Sequence, residues 1–228
     1  DLSSYKGKTS TSSPSPHEWE NAFGDADVVF CITITSTLSG TYNSAVIAKD
    51  IYEQNHAGRK VYVLDSLSTG PEIALFIEKI AELIKAGFAP DDIYKTLLEY
   101  KDKTHLYFSL ASLNNFAKNG RISPVIAAGI GLLGVRVVGK ASDEGTLLPL
   151  DKCRGEKRAL KKLIDHLKEC GYTDGKIIIA HNNNEAGALE LKKLIENTFG
   201  IFNGKIQKTR ALCSYYAEPG SLLIGFEA

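Results

Sequence analysis

The chain has 228 residues, and its 27 Lys and Arg residues are balanced by 27 Asp and Glu residues. A formal net charge of zero argues against a general electrostatic attraction to nucleic acid or to an anionic membrane, so neither is expected as a partner. The hydrophobic content of 43% and the charged content of 24% are ordinary for a globular protein, and the length suits one large domain or two smaller ones.

The cysteine pattern and the apolar runs point to a compartment. The four cysteines lie far apart and form no C-x-x-C pair, which favours a reducing environment over a disulfide scaffold or a zinc site. The sequence has no signal-peptide pattern and no run of 18 or more apolar residues, so we expect a cytoplasmic protein without stable membrane insertion. It also contains no Met and opens on DLSSYKGK, so part of the N-terminal domain is expected to be missing.

The first half of the chain alternates strands and helices. Segments 27–34 and 60–65 are short apolar runs rich in β-branched residues, which is typical of strands buried on both faces. Between them, GTYNSAVIAKDIYEQN carries apolar residues at a helical period, so this order predicts a parallel strand–helix–strand unit. Further helices are predicted at about 71–86 and after Pro90, where acidic residues in the first turn complement the helix dipole.

From His105 onward, a strand is followed as often by a turn or another strand as by a helix. Six strands are predicted, at 106–112, 136–142, 145–153, 176–182, 205–213 and 221–227. The turn SDEG predicts that the second and third form a hairpin. Helices are predicted at about 155–170 and 185–199. The predicted fold class is α/β with two domains: an N-terminal parallel-sheet domain over residues 1–103, truncated at its start, and a C-terminal mixed six-stranded α/β domain over residues 104–228.

Hydroxyl-rich loops follow both strands of the N-terminal domain. TSTLSGTY follows the first strand, DSLSTG ends the second, and TSSPSP lies near the start of the chain. Ligands of open parallel sheets bind beyond the carboxyl ends of the strands, where helix N-termini offer free N–H groups to an anion. The three loops could meet at one anion site, although each alone is more typical of a helix cap. The lack of G-x-x-x-x-G-K-[ST] and G-x-G-x-x-G argues against an ATPase or a dinucleotide enzyme.

Six motifs, taken in order, resemble the DegV family of fatty-acid-binding proteins. They are TSSPSPHEW, ITSTLSGTYNSA, VYVLDSLSTG, LASLNNFAKNGRIS, LLPLDKCRGEKRALKKL and EPGSLLIGF, and they span nearly the whole chain. The resemblance implies a two-domain α/β protein that holds a long-chain fatty acid between its domains, with no cofactor and no catalytic residue. For the FakB type of this family, the resemblance implies that the protein presents the acyl carboxylate to a separate fatty acid kinase.

The resemblance also assigns roles to residues. The ligand carboxylate is expected to contact Thr11, Ser12, Ser39, Gly40, Thr41 and Tyr216. Neutral hydroxyls can hold one anionic group through charge-assisted hydrogen bonds, which makes this assignment chemically reasonable. The family usually has a His where Tyr216 stands and a Gly at Glu218, so kinase coupling is predicted less firmly than lipid binding.

Two further groups of residues complete the prediction. Arg121 and Arg154 match arginines near the pocket mouth and are expected to face a partner, with a plain surface ion pair as the alternative. The apolar segment 124–135 is expected either to line the acyl tail or to form a core helix. Its tail-lining candidates are Val125, Ile126, Ile130, Leu132 and Leu133.

Two other functions stay open at this point. With Ser39 as nucleophile and His181 as base, the chain would be a serine hydrolase or acyltransferase, although LSG lacks the G-x-S-x-G nucleophile elbow. The helix N-terminus after Gly40 could instead bind phosphate or a nucleotide. A fluorophosphonate probe would label the hydrolase, and nucleotides rather than lipids would stabilise a nucleotide-binding protein.

Overall fold

The computed structural model describes residues 9–122 and 134–228. These residues form a two-stranded parallel sheet and a six-stranded mixed sheet, which confirms the predicted α/β class. In chain order the elements are α1 (Pro16–Phe23), β1 (Val28–Thr33), α2 (Thr41–Asn55), β2 (Lys60–Asp65), α3 (Pro71–Lys85), α4 (Pro90–Lys101), β3 (Thr104–Leu110), α5 (Asn114–Lys118), β4 (Val135–Ala141), β5 (Leu147–Arg154), α6 (Glu156–Glu169), β6 (Ile177–His181), α7 (Glu185–Phe199), β7 (Gly204–Lys208), α8 (Ala211–Ala217) and β8 (Leu222–Glu227).

The small sheet pairs β1 with β2 in parallel, from Val28 opposite Lys60 to Thr33 opposite Asp65. Helix α2 connects the two strands and covers one side of the sheet, where its Ala45, Ala48 and Tyr52 are buried together with residues of both strands. Because both strands end at the same edge, the loops that follow them lie side by side. We call residues 34–40 the first hydroxyl loop and residues 66–70 the second hydroxyl loop.

The large sheet has the strand order β5-β4-β3-β8-β6-β7, with β6 and β7 parallel and the other neighbours antiparallel. The predicted hairpin is the β4–β5 pair. Side chains alternate between the two faces along each strand. On the outer face, residues such as Tyr107, Ile179 and Ile224 pack against α6 and α7. The inner face presents Leu106, Phe108, Leu110 and Leu223 toward the N-terminal half. The domain division between residues 103 and 104 stays a prediction.

Helix α3 joins the two sheets. It contacts β1, β3, β6 and β8, and its buried Leu75 and Phe76 belong to a core cluster that contains residues of both sheets. The helix begins directly on β8, because a Cβ atom on Gly225 would lie 2.4 Å from the backbone nitrogen of Glu72. Only glycine permits this approach. The contact fixes the second hydroxyl loop, which immediately precedes α3, close to the inner face.

The predicted strand at 205–213 is wrong over its second half. β7 ends at Lys208, and α8 begins at Ala211. The reason lies in the pairing, because β7 is at the edge of the described sheet and its neighbour there, β6, ends at His181 opposite Lys208. The Thr209 N–H still donates to the His181 carbonyl at 2.9 Å, but no strand of the described sheet is available to pair with residues 210–213, and the chain turns into a helix.

Two short helices, α1 and α5, were not predicted. The N-terminus of α1 carries a capping box, in which the Glu18 backbone N–H donates to Ser15 Oγ at 3.2 Å and the Ser15 N–H donates to Glu18 Oε2 at 2.7 Å. Pro16 occupies the first turn, as is common at helix starts. The sequence SPHE therefore carried a usable signal for α1.

Candidate functional site

A cavity of about 660 Å³ lies between the two hydroxyl loops and the inner face of the large sheet. Residues 11–14, which precede α1, form one side of it. Residues of α5 and α8 form another side, and the turn between β4 and β5 contributes the last. The cavity is therefore built at the carboxyl edge of the parallel sheet, where the sequence predicted a ligand site.

The deep part of the cavity is apolar. The four inner-face residues, Leu106, Phe108, Leu110 and Leu223, all line it and are each at most 5% exposed. The remaining apolar lining includes Ile32, Leu38, Leu67, Phe116, Leu147 and Leu212. None of these was predicted as a tail-lining residue, although the alternation of LYFSLAS carried a signal for one shared face. The predicted candidates Val125, Ile126, Ile130, Leu132 and Leu133 lie outside the described residues.

The polar end of the cavity is open to solvent. All six predicted carboxylate contacts line the cavity, and two of them, Ser12 and Gly40, are exposed. Helix α2 starts here with Gly40 as its N-cap, and the backbone N–H of Thr41 donates to Ser39 Oγ at 3.3 Å. The N–H groups that follow Thr41 in the first turn have no partner within the helix and can face an anion.

Four of the six predicted contacts form two hydroxyl pairs. Thr11 Oγ1 and Tyr216 OH are 2.8 Å apart, and Ser39 Oγ and Thr41 Oγ1 are 2.7 Å apart. Each hydroxyl has one proton, so within a pair one hydroxyl donates to the other and the second proton remains free. Each pair can therefore offer one hydrogen bond to a ligand oxygen.

Other hydroxyls in the wall are already used inside the protein. Thr33 Oγ1 donates to the Leu64 carbonyl at 3.3 Å, and Thr35 Oγ1 donates to the Gly145 carbonyl at 2.9 Å. Ser68 Oγ donates to a Glu72 carboxylate oxygen at 2.5 Å. Donors free for a ligand are thus concentrated at the open end of the cavity.

Arg121 brings a positive charge to this end. Its Nε donates to the Leu38 carbonyl at 3.1 Å and its Nη1 donates to the Asn119 carbonyl at 2.6 Å, and the side chain lines the cavity. It thereby ties the segment that follows α5 to the first hydroxyl loop, one residue before Ser39. Arg154 lies at the end of β5, exposed to solvent and apart from the described lining. The resemblance predicted that both arginines lie near the pocket mouth, but of the two only Arg121 is among the described lining residues.

The turn between β4 and β5 closes the cavity against both loops. Thr35 and Thr37 donate to the carbonyls of Gly145 and Glu144, the second bond at 2.6 Å. The loops are also bonded to each other, because the Thr35 N–H donates to the Ser68 carbonyl at 2.9 Å. No local pattern predicted this junction, which joins segments 110 residues apart.

The structure gives no support to the hydrolase alternative. The described cavity lining contains none of the five histidines, and the Ser39 hydroxyl is paired with Thr41. His181 is buried, with its Nδ1 3.3 Å from the backbone nitrogen of Asn184. Within residues 9–122 and 134–228, we find no group of three or more His, Cys, Asp or Glu residues that could hold a metal ion. The helices in those ranges include none that is both long and apolar enough to span a bilayer.

Comparison with known proteins places the chain in a family. Residues 2–228 match the model described as "Uncharacterised protein, DegV family". A DegV domain-containing protein of Streptococcus pneumoniae is 44% identical over 214 residues, covering 94% of this chain and 76% of the relative.

Two solved structures share the fold closely. A DegV family protein from Eubacterium eligens, loaded with heptadecanoic acid, has a TM-score of 0.97 at 41% identity and covers 100% of this chain and 82% of its own. The Streptococcus pneumoniae Fatty Acid Kinase (Fak) B3 protein, loaded with linoleic acid, has a TM-score of 0.97 at 42% identity, with 99% and 80% covered. The ordered motifs, the paired sheets and these matches agree, and the chain belongs to the DegV family.

Proposed function

We propose that this protein binds one long-chain fatty acid in the cavity and acts as a carrier rather than a catalyst. The observation that carries the proposal is the division of the cavity into a buried apolar part and an open end with free hydroxyl donors. The fatty acids bound by the Eubacterium eligens and Streptococcus pneumoniae relatives support the same ligand class.

In this proposal the carboxylate lies at the open end. Its contacts are Thr11, Ser12, Ser39, Gly40, Thr41 and Tyr216. A carboxylate accepts about four hydrogen bonds. These hydrogen bonds can come from one proton of each hydroxyl pair, from the Ser12 hydroxyl and from N–H groups at the start of α2. Arg121 adds a nearby positive charge. The hydrocarbon tail then extends along the inner face.

The direct test is to identify what the purified protein carries. Native mass spectrometry of freshly purified protein should show an adduct of fatty-acid mass, and solvent extraction should release the same acid. Purified protein that carries no fatty acid and also fails to bind added palmitate or oleate would refute the carrier function.

The hydroxyl pairs yield a prediction about affinity. Ser39→Ala combined with Thr41→Val removes the one free proton of this pair and should weaken palmitate binding by about tenfold or more, since a hydrogen bond to a charged group contributes about 1.5–3 kcal/mol. Binding is measured by titration calorimetry, with Ser36→Ala as the control. Ser36 lies in the same loop, is exposed and is not among the described lining residues. Equal affinities of the two variants would contradict the assignment of the Ser39–Thr41 pair.

We also propose that the open end presents the carboxylate to a fatty acid kinase, with Arg121 at the mouth and Arg154 on the facing surface. The support is the solvent exposure of Ser12, Gly40 and Arg154. Tyr216 can donate a hydrogen bond to the carboxylate, but a phenol does not replace the acid–base chemistry of an imidazole. The kinase would therefore have to supply the phosphoryl-transfer chemistry.

Arg154→Glu should lower acyl phosphate formation by a fatty acid kinase at least about tenfold, because reversal of an interfacial charge costs several kcal/mol. Its palmitate affinity should match that of the unmodified protein. Lys168→Glu is the control, since it makes the same charge change at an exposed position near the far end of α6. An equal rate loss in both variants would indicate a nonspecific charge effect.

A further inference from the structure

A buried carboxylate lies directly behind the cavity wall. Glu72, in the first turn of α3, is 4% exposed and is not among the described lining residues. Its Oε2 accepts a hydrogen bond from Ser68 Oγ at 2.5 Å, and its Oε1 accepts one from Thr104 Oγ1 at 2.8 Å. Ser68 is 3% exposed and does line the cavity. Among the described residues, the Glu72 carboxylate therefore contacts the cavity wall through the Ser68 hydroxyl.

The direction of this hydrogen bond determines what Ser68 can offer to a ligand. A serine hydroxyl has one proton, and an ionised carboxylate can only accept. The Ser68 proton therefore points toward Glu72, and only oxygen lone pairs remain for the cavity. A fatty-acid carboxylate is also an acceptor, so it finds no partner at Ser68. A neutral alcohol, which can donate its own proton, does not have this disadvantage.

We propose that Glu72 is a positioning residue that withholds the Ser68 proton from the cavity and so directs an anionic head group to the Thr11–Tyr216 and Ser39–Thr41 pairs. The inference rests on the proposed fatty-acid binding and deepens it, because it explains how a cavity with hydroxyls in several walls selects one end for the carboxylate.

The surroundings of Glu72 hold it in place. Its backbone nitrogen lies against Gly225 of β8, and Thr104 at the start of β3 fixes its second oxygen. Burial raises the pKa of Glu72, while the Ser68 and Thr104 hydroxyls and the nearby Lys101 act in the opposite direction. Measurements at mildly alkaline pH therefore favour the ionised form on which the proposal depends.

The test compares two ligands with the same tail. The ratio of the palmitate to the hexadecanol dissociation constant is measured for the unmodified protein and for Glu72→Gln. The glutamine amide can donate to Ser68 Oγ, which releases the Ser68 proton toward the cavity. The ratio should shift about three- to tenfold in favour of palmitate, as expected for one added hydrogen bond. General loosening of the site would weaken both ligands and leave the ratio unchanged.

A double variant tests whether the effect of Glu72→Gln is transmitted through Ser68. In Glu72→Gln combined with Ser68→Ala, the ratio should return to its original value, because the Ser68 hydroxyl is gone. A shift that persists in the double variant would point to a long-range charge effect and overturn the proposal. If Glu72→Gln does not fold, Glu72→Met serves instead, since its thioether is only a weak acceptor and also leaves the Ser68 proton free. It should shift the ratio in the same direction.

The two proposals fail in different ways. If the unmodified protein binds neither palmitate nor hexadecanol, the proposed fatty-acid binding is wrong. If it binds both, and the folded Glu72 variant keeps the original ratio, only the role of Glu72 is wrong.

Discussion

Gly145→Ala is expected to weaken palmitate binding by about a hundredfold or more and to lower the free energy of unfolding by about 2–5 kcal/mol. Gly145 has a φ of +77°, where an L side chain is strained. An added Cβ would lie 2.2 Å from Thr35 Oγ1 and 3.0 Å from the backbone of Leu67. The turn must then move away from both hydroxyl loops, because Leu67 contributes backbone atoms that cannot rotate aside.

Displacement of the turn opens the cavity. It breaks the bonds from Thr35 and Thr37 to the turn carbonyls, and it removes Gly145, Thr146 and Leu147 from the wall. Palmitate affinity is measured by calorimetry and stability by denaturant unfolding.

A matched control separates backbone strain from the contact. Gly58 has a φ of +87°, and no described atom lies within 4 Å of the Cβ that alanine would add. Gly58→Ala should therefore cost only the strain of about 1–2 kcal/mol and leave palmitate affinity unchanged. If Gly145→Ala binds palmitate as tightly as Gly58→Ala, the turn does not close the site.

Elements with a clear period were predictable from the sequence. The β1 and β2 strands, α3, and the helix at 185–199 were found within about two residues, because burial of one face imposes a regular pattern. The part after Lys208 was not predictable, because β6 ends at His181 and leaves the chain without a strand partner. Strand length at a sheet edge depends on the neighbouring strand, which a local pattern does not contain.

The candidate site was likewise predictable only in part from the sequence. Its hydroxyl residues follow strands in the sequence, so Ser39 and Thr41 could be assigned from motif and position. The apolar wall formed by Leu106, Phe108 and Leu110 was recognised only as a strand. Which of its two faces meets the cavity depends on α3 and on the close contact at Gly225. The junction at Gly145 depends on a contact between segments that lie far apart in the chain.

The second large effect concerns ligand length. Among laurate, myristate and palmitate, the affinity should rise steadily, and palmitate should bind about 20- to 200-fold more tightly than laurate. Each buried methylene contributes about 0.8 kcal/mol, and ordering of the chain offsets part of that gain. The three acids share one carboxylate, so the increments report only on the tail and on the inner-face wall against which it packs.

The corresponding alcohols provide the control. If the tail lies along Leu106, Phe108, Leu110 and Leu223, then laurate to palmitate and dodecanol to hexadecanol must show the same increment per methylene, because the wall does not sense the head group. Equal affinity for all three acids would mean that the tail lies outside the cavity, in solvent. An increment seen for the acids but absent for the alcohols would mean that the carboxylate contacts are needed to align the tail, so that the two ends of the cavity act together rather than independently.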